Sequence, residues 1–384
     1  MANIPDDINE KAIRYLADVR FHRSIWLPPE KETGRSRPAR VTYADIGHEN
    51  GSVILYCGGL FSSRYTLAQA DGLAKEHHIR LICPDKPGVG GSDAVDLDRK
   101  VKTWLDIVHA LTDQLHITRI SLVGHSSGAI YVLNALLHYR HLLHPDRPYV
   151  ALIAPWIHPS HSESLLLPTV AEYLPDWLIR QWYHASHLVT QTTGRPNLGP
   201  STARPAVAST TSSSGSAMNL MRSNNNDDND NDSDNDGPRL LARAIDEKIM
   251  EYALLENVEG ISQEALFCLK RGPDGLWGEG LWEDCDGYVS LLRHREAEAA
   301  AARTAHRRGQ QDHDESKIRV DVFFADSDGH SGKYGSQWFD DCWKNSVVGD
   351  DLFCYRSTTV PETTHETIMR PESGVLGTIF SRVE

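Results

Sequence analysis

Cysteine is scarce in this chain: six among 384 residues, at positions 57, 83, 268, 285, 342 and 354, with no CxxC pair among them. That density excludes a disulfide scaffold and the spacing excludes zinc or dithiol chemistry, so the cysteines read as small buried residues. Long apolar runs are also missing. No segment approaches the roughly 18 consecutive apolar residues of a membrane span. The N-terminus, MANIPDDINEKAIRY, lacks the basic, apolar, small-residue order of a secretory signal. A soluble, cytoplasmic protein with no transmembrane segment is the expectation. Positive charge is in deficit, 39 basic against 53 acidic residues, for a formal charge of -14. This composition is ill suited to clamping a nucleic-acid backbone or an anionic membrane. Six of the aspartates sit in one tract, NNNDDNDNDSDND from Asn224 to Asp236, so the rest of the chain is milder than the total. No GxGxxG follows an early strand and no spaced Cys/His group suggests a metal, so neither cofactor nor metal is expected.

The length suffices for one large domain with a substantial insertion. Short apolar runs stand at 52–59 (SVILYCGG), 79–85 (IRLICPD), 119–124 (RISLVG) and 149–155 (YVALIAP). Helical periodicity fills the gaps, most clearly in VKTWLDIVHALTDQL, where Val101, Trp104, Leu105, Val108, Leu111 and Leu115 recur every three to four residues. Strands that are apolar nearly throughout, alternating with helices, imply an α/β fold with a parallel sheet covered on both faces. The alternation resumes at 318–328 (IRVDVFFADSD) and 350–360 (DDLFCYRSTTV).

Between these halves the rhythm breaks. Short Leu- and Trp-rich helical candidates occupy 161–192, and LLARAIDEKIMEYALLEN returns to a helical pattern. Residues 198–238 hold few large apolar side chains and cannot repay their ordering entropy, so disorder is expected there. A second loose stretch, 295–316, reads as a fraying helix or a linker. The predicted organisation is therefore an N-terminal part of the core at 1–160, an inserted, mainly helical region at 161–317, and a C-terminal part of the core at 318–384.

The chemistry concentrates in LVGHSSGAIYVLNALL, which places Ser126 between Gly124 and Gly128. Gly-x-Ser-x-Gly alone is a weak signal, but here a strand (ISLV) precedes it and a helix (GAIYVLNALL) follows. That is the setting in which a strained turn exposes a serine hydroxyl and the next backbone N–H, of Ser127, can face a developing oxyanion.

On these residues the chain resembles the α/β-hydrolase family, from about residue 40 to 160 and again from 318 to the end, with the middle corresponding to the family's variable cap. YCGGLFSSRY (56–65) is similar to the family's loop after the third strand, although Cys57 stands where histidine is frequent and Leu60 where proline is. CPDKPGVGGSD (83–93) resembles the family's Asp-x-Pro-Gly-x-Gly-x-Ser turn. The resemblance implies an α/β-hydrolase fold with Ser126 as nucleophile. Gly59 and Ser127 would be the oxyanion donors, with Leu60 as the alternative to Gly59. The orienting acid falls at Asp328 by the Gly-x-x-Asp pattern, with Asp326 as the alternative because Ala325 replaces the usual glycine. His365, in VPETTHETIM after the last strand, is the base among 19 histidines.

Other motifs carry less. DSDNDG from Asp232 matches the start of an EF-hand loop, but Arg243 occupies the twelfth position, where a bidentate glutamate is required. LWGEGLWEDCDG (276–287) could line a crevice or simply pack, and PWIHPSHS (155–162) reads as a turn into the insertion. The expected activity is cleavage of a small-molecule ester or related acyl bond, as in a carboxylesterase. A non-catalytic ligand-binding or scaffold protein and an acyltransferase are the alternatives. Acyl-chain size and oligomeric state are left open.

Overall fold

The apolar runs become parallel strands of a single sheet. The computed structural model describes residues 4–31, 34–162, 236–257, 259–278, 285–306, 317–329, 332–344 and 352–384. Its strands are β1 Arg23–Leu27, β2 Ala39–Gly47, β3 Ser52–Cys57, β4 Ile79–Pro84, β5 Ser121–His125, β6 Tyr149–Ile153, β7 Ile318–Ser327 and β8 Phe353–Thr364. They form one eight-stranded sheet in the order β1-β2-β4-β3-β5-β6-β7-β8. The β1–β2 and β2–β4 pairs are antiparallel and every later pair is parallel. The described helices are α1 Asp6–Leu16, α2 Asp71–Glu76, α3 Lys100–Gln114, α4 Gly128–His138, α5 Asp236–Leu255, α6 Glu259–Cys268, α7 Cys285–His306, α8 Gly332–Lys344 and α9 Val375–Val383. This is an α/β architecture with an inserted helical region.

Alternation along each strand feeds two apolar layers. Leu55 and Cys57 of β3 turn toward Trp104 of α3 and Tyr131 of α4, whereas Ile54 and Tyr56 turn toward Tyr65 and Phe380. Each such large side chain, fully buried, contributes about 1.5–3 kcal/mol, so burial on both faces explains why these strands are apolar throughout. Helix α4 is buried along Gly128–Leu137, which accounts for an apolar character that extends around its whole circumference.

The strand order also locates a crevice. After β3 the chain adds β4 on one side, then crosses back to place β5 on the other side of β3. At such a reversal the carboxyl ends of the two central strands diverge, and open α/β sheets bind ligands there. Gly59 follows β3 and Ser126 follows β5, so both stand at that point.

Several expectations need correction. The gap between the runs at 52–59 and 79–85, where helical periodicity was expected, holds a 3-10 turn, Ala68–Ala70, and the short α2 rather than one helix. The stretch 198–238 is not wholly unstructured: Asp236 to Pro238 begin α5. A proline in the first turn loses no helical hydrogen bond. Residues 198–235, with most of the acidic tract, lie outside the described residues. The stretch 295–316, expected as a fraying helix or a linker, is helical as far as His306, the end of α7, in keeping with the first of these. Its alanines and glutamates are strong helix formers, and Tyr288, Val289 and Leu292 anchor the same helix in the core. Residues 307–316 and 163–192 also lie outside the described residues. The six cysteines form no disulfide; four are buried, but Cys342 and Cys354 are only half-buried.

Candidate active site

Ser126 has φ 53°, a left-handed backbone that is rare and strained outside glycine. Its neighbours hold it there. The Ser126 N–H donates to the carbonyl of Ile153 at the end of β6 (3.0 Å), and its carbonyl accepts from the N–H groups of Trp156 and Ala129 (3.0 Å each). The flanking glycines are demanded by packing. A side-chain carbon at Gly128 would fall 2.0 Å from the Cys57 carbonyl oxygen, and one at Gly124 would press the start of α4 at 3.0 Å.

Asp328 and His365 directly follow the last two strands of the sheet, β7 and β8. The β7–β8 ladder runs in register as far as Ala325 opposite Val360, then shifts so that Ser327 opposes Thr364. Two extra residues of β8 are thus taken up, with Glu362 at φ 58° inside the irregularity. Bulges of this kind re-aim a strand end. This one brings His365 beside Asp328, with Nδ1 3.1 Å from Oδ2 and both residues buried. Asp326 is exposed, so of the two acids considered it is Asp328 that meets the histidine.

His125, which sequence reasoning did not single out, ties these parts together. Its Nε2 lies 3.0 Å from the backbone carbonyl of His365, and their rings are 5.0 Å apart. A carbonyl only accepts, so Nε2 carries the proton. Burial, with a lesser contribution from the neighbouring His365, pushes the His125 pKa down to about 3. The ring is therefore neutral and fixed as one tautomer. The residue before Ser126 thus holds the backbone of His365.

The loop after β3 closes the site. Gly59 is buried, and a side-chain carbon there would stand 2.8 Å from Ser126 Cβ and 3.3 Å from its Oγ. Only glycine allows so close an approach. Leu60 is half-buried. The ammonium of buried Lys86 donates to the carbonyls of Gly58 (3.0 Å) and Gly59 (2.8 Å). Ser127 is buried, and its hydroxyl donates to Glu264 of α6 (3.1 Å).

The Asp-Lys-Pro-Gly turn proves to be a polar keystone. Asp85, fully enclosed, accepts from the Thr42 hydroxyl (2.6 Å), the Arg64 N–H (2.6 Å) and the Arg64 guanidinium (2.7 Å). Arg64 also binds Glu256, at the end of α5, at 2.5 Å. Lone charged letters gave no hint of these partners, which lie 21 and 192 residues away along the chain. Elsewhere, His158 accepts from the Ser160 N–H in a turn, His161 stacks on Trp338 at 3.8 Å, and Trp277 packs on Phe267 with its indole N–H on that residue's carbonyl. Packing, rather than a crevice lining, is the role of Trp277; Trp282 and His330 lie outside the described residues. Among the described residues no group of three or more His, Cys, Asp or Glu is placed to hold a metal ion, and no helix is long and apolar enough to cross a membrane.

A strand, a left-handed serine and a buried helix at a sheet reversal define an α/β-hydrolase architecture. The model of the alpha/beta hydrolase family matches residues 54–253, just over half of the chain. The protein belongs to that family. No curated protein sequence matches it. Among solved structures it is similar to the enol-lactonase from Burkholderia xenovorans LB400 (13% identity, TM-score 0.51, covering 90% of this chain and 96% of that one). It is also similar to a malate-bound thermophilic esterase from Thermogutta terrifontis (15%, 0.52, 94% and 99%) and a bromoperoxidase from Bacillus anthracis (13%, 0.53, 94% and 100%). These likenesses concern the fold. The three names span different chemistries, so the reaction must be argued from the site.

Proposed function

We propose that the protein is a serine hydrolase that cleaves an ester or related acyl bond of a small molecule. In this reading Ser126 is the nucleophile, His365 the general base and acid, and Asp328 the group that orients the imidazole. The observation that carries it is the convergence of a left-handed serine at the end of β5 with a buried histidine–carboxylate pair whose backbone is tied to the same strand end. A serine hydroxyl is a weak nucleophile until an imidazole takes its proton as it attacks, and the imidazole keeps the correct tautomer when a carboxylate accepts from its Nδ1–H. The imidazolium formed then protonates the leaving alcohol, and the neutral ring activates water to release the acyl group.

The N–H groups of Gly59 and Ser127 are the oxyanion donors in this scheme, with Leu60 the neighbouring candidate. Gly59 lies so near Ser126 that a side-chain carbon there would stand 2.8 Å from the Ser126 Cβ. Carbonyl and N–H lie on opposite sides of a trans peptide. With the Gly58 and Gly59 carbonyls turned toward Lys86, the N–H groups of Gly59 and Leu60 point away from that lysine. The inserted region, about 161–317, serves as the cap over the crevice, between core parts 1–160 and 318–384. A serine at 126 supplies an oxygen nucleophile whose acyl-enzyme is released by water, which favours acyl chemistry over the aspartate-based alkyl-enzyme route.

Labelling with a fluorophosphonate probe tests the proposal. The native protein is expected to react at Ser126, and Ser126→Ala and His365→Ala to lose the reaction. Well-folded native protein that takes no label would overturn it.

A further inference from the structure

Beneath the loop after β3 lies a polar cluster that the reaction scheme does not use. Lys86, Lys100 and Glu264 are all enclosed, with side-chain exposures of 1%, 0% and 0%. Glu264 comes from α6 in the inserted region; the lysines come from the core. One Glu264 oxygen accepts from Lys86 (2.8 Å) and from the Ser127 hydroxyl (3.1 Å). The other accepts from the Tyr131 hydroxyl (2.8 Å) and lies 3.4 Å from the Lys100 ammonium. Burial opposes charge on Glu264, yet the two lysines hold its carboxyl below the usual range.

The geometry matters more than the energy. A buried ion pair adds little net stability over apolar residues of the same volume, but it fixes directions. Lys86 Nζ reaches both the Gly58 and Gly59 carbonyls and Glu264. A single carboxylate from the inserted region is therefore tied to both sides of the proposed oxyanion hole, to the Gly59 loop through Lys86 and to Ser127 through its hydroxyl. Helix α6 is seated backbone to backbone on the same turn: the Gly260 N–H donates to the Gly88 carbonyl (2.8 Å), and a side-chain carbon at Gly260 would fall 2.4 Å from Gly88 C.

We propose that Lys86 is a positioning residue of the oxyanion-binding loop and that Glu264 holds it in place, so that the hole is assembled only with the inserted helix docked. This rests on Ser126 being the nucleophile. The inserted region is then part of the catalytic apparatus as well as a cover.

The test compares native protein with Lys86→Met and Glu264→Gln, using p-nitrophenyl butyrate as ester. A fluorophosphonate counts reactive serines, a trifluoromethyl ketone forms a tetrahedral adduct bearing an oxyanion, and thermal melting checks the fold. Lys86→Met is expected to titrate fully but slowly, with kcat lower by on the order of 30-fold or more. KM should change by less than about threefold, and ketone affinity should fall in step with kcat/KM. Glu264→Gln, nearly isosteric, is expected to lose about threefold to thirtyfold in the same pattern. A merely structural role would lower the melting temperature or the titratable fraction and leave kcat per reactive serine and ketone affinity unmoved. That result in either folded variant overturns the proposal while leaving the hydrolase reading intact. If Lys86→Met does not fold, Glu264→Gln decides by the same criteria. A native protein unlabelled at Ser126 removes the ground for both readings.

Discussion

Two buried carboxylates near the end of β5 differ in the partners they meet. Glu264 is saturated: its two oxygens meet two ammoniums, a serine hydroxyl and a phenol, all within a sealed cluster. Asp328 meets His365, with Nδ1 3.1 Å from Oδ2, beside the end of β5. A carboxylate met from four directions can hold a shape. A carboxylate facing an imidazole can orient it for proton transfer. Burial and charge alone therefore do not separate a carboxylate that holds a shape from one that would orient a catalytic imidazole; in the proposed scheme the chemical nature of the partner does.

The comparison breaks most directly at Asp328. Asp328→Asn is expected to lower kcat by about 10⁴-fold through loss of the orienting acceptor, while Asp326→Asn, altering an exposed side chain, stays within about twofold. Equal losses in ester-hydrolysis assays of the two variants would show that the pairing with His365 is not what matters. The shape-holding side is tested at Arg64. Replacing it by Met strands the fully enclosed Asp85 and is expected to cost about 3–5 kcal/mol of unfolding free energy. Chemical denaturation reads this out, and a loss below about 1 kcal/mol would mean that the cluster relaxes around the missing cation.

His125 gives the smallest effect. It is neutral in the folded protein, with its pKa near 3, and reverts to about 6.5 when unfolded. Below that value the unfolded chain binds the extra proton. Its contribution is therefore complete above about pH 6.5 and declines as the pH falls toward 3, by up to about 1.4 kcal/mol per pH unit. Denaturation curves at pH 7 and pH 5 should show a steeper acid loss for native protein than for His125→Asn. Parallel losses would show that His125 titrates normally.

Much of the core could be read from the chain because local rules and tertiary structure agree there. The runs at 52–57, 79–84 and 149–153 are apolar on both sides, and only a doubly covered strand tolerates that. β1 escaped notice for the opposite reason. RSIWL buries only Ile25 and Leu27, leaving Trp26 exposed, so its alternation is too short to stand out. Helices α8 and α9 were not singled out either. Their amphipathic faces are filled by residues such as Phe339, Trp343, Ile379 and Phe380, in sequences that also carry many polar letters.

What the sequence by itself determined is the candidate nucleophile's setting and the order of the site residues: a serine between small residues at a strand–helix junction, then an acid, then a histidine. These are local properties, dictated by backbone sterics and by a chain order the fold requires. Only the tertiary structure set Asp328 beside His365 and left Asp326 exposed, because that pairing depends on a register shift between β7 and β8 that no local preference encodes. It alone brought His125 to the backbone of His365, and Glu264 to Lys86 across 178 residues. A charge in sequence has no partner until folding removes it from water. At that point the cost of leaving it unpaired makes the partner obligatory.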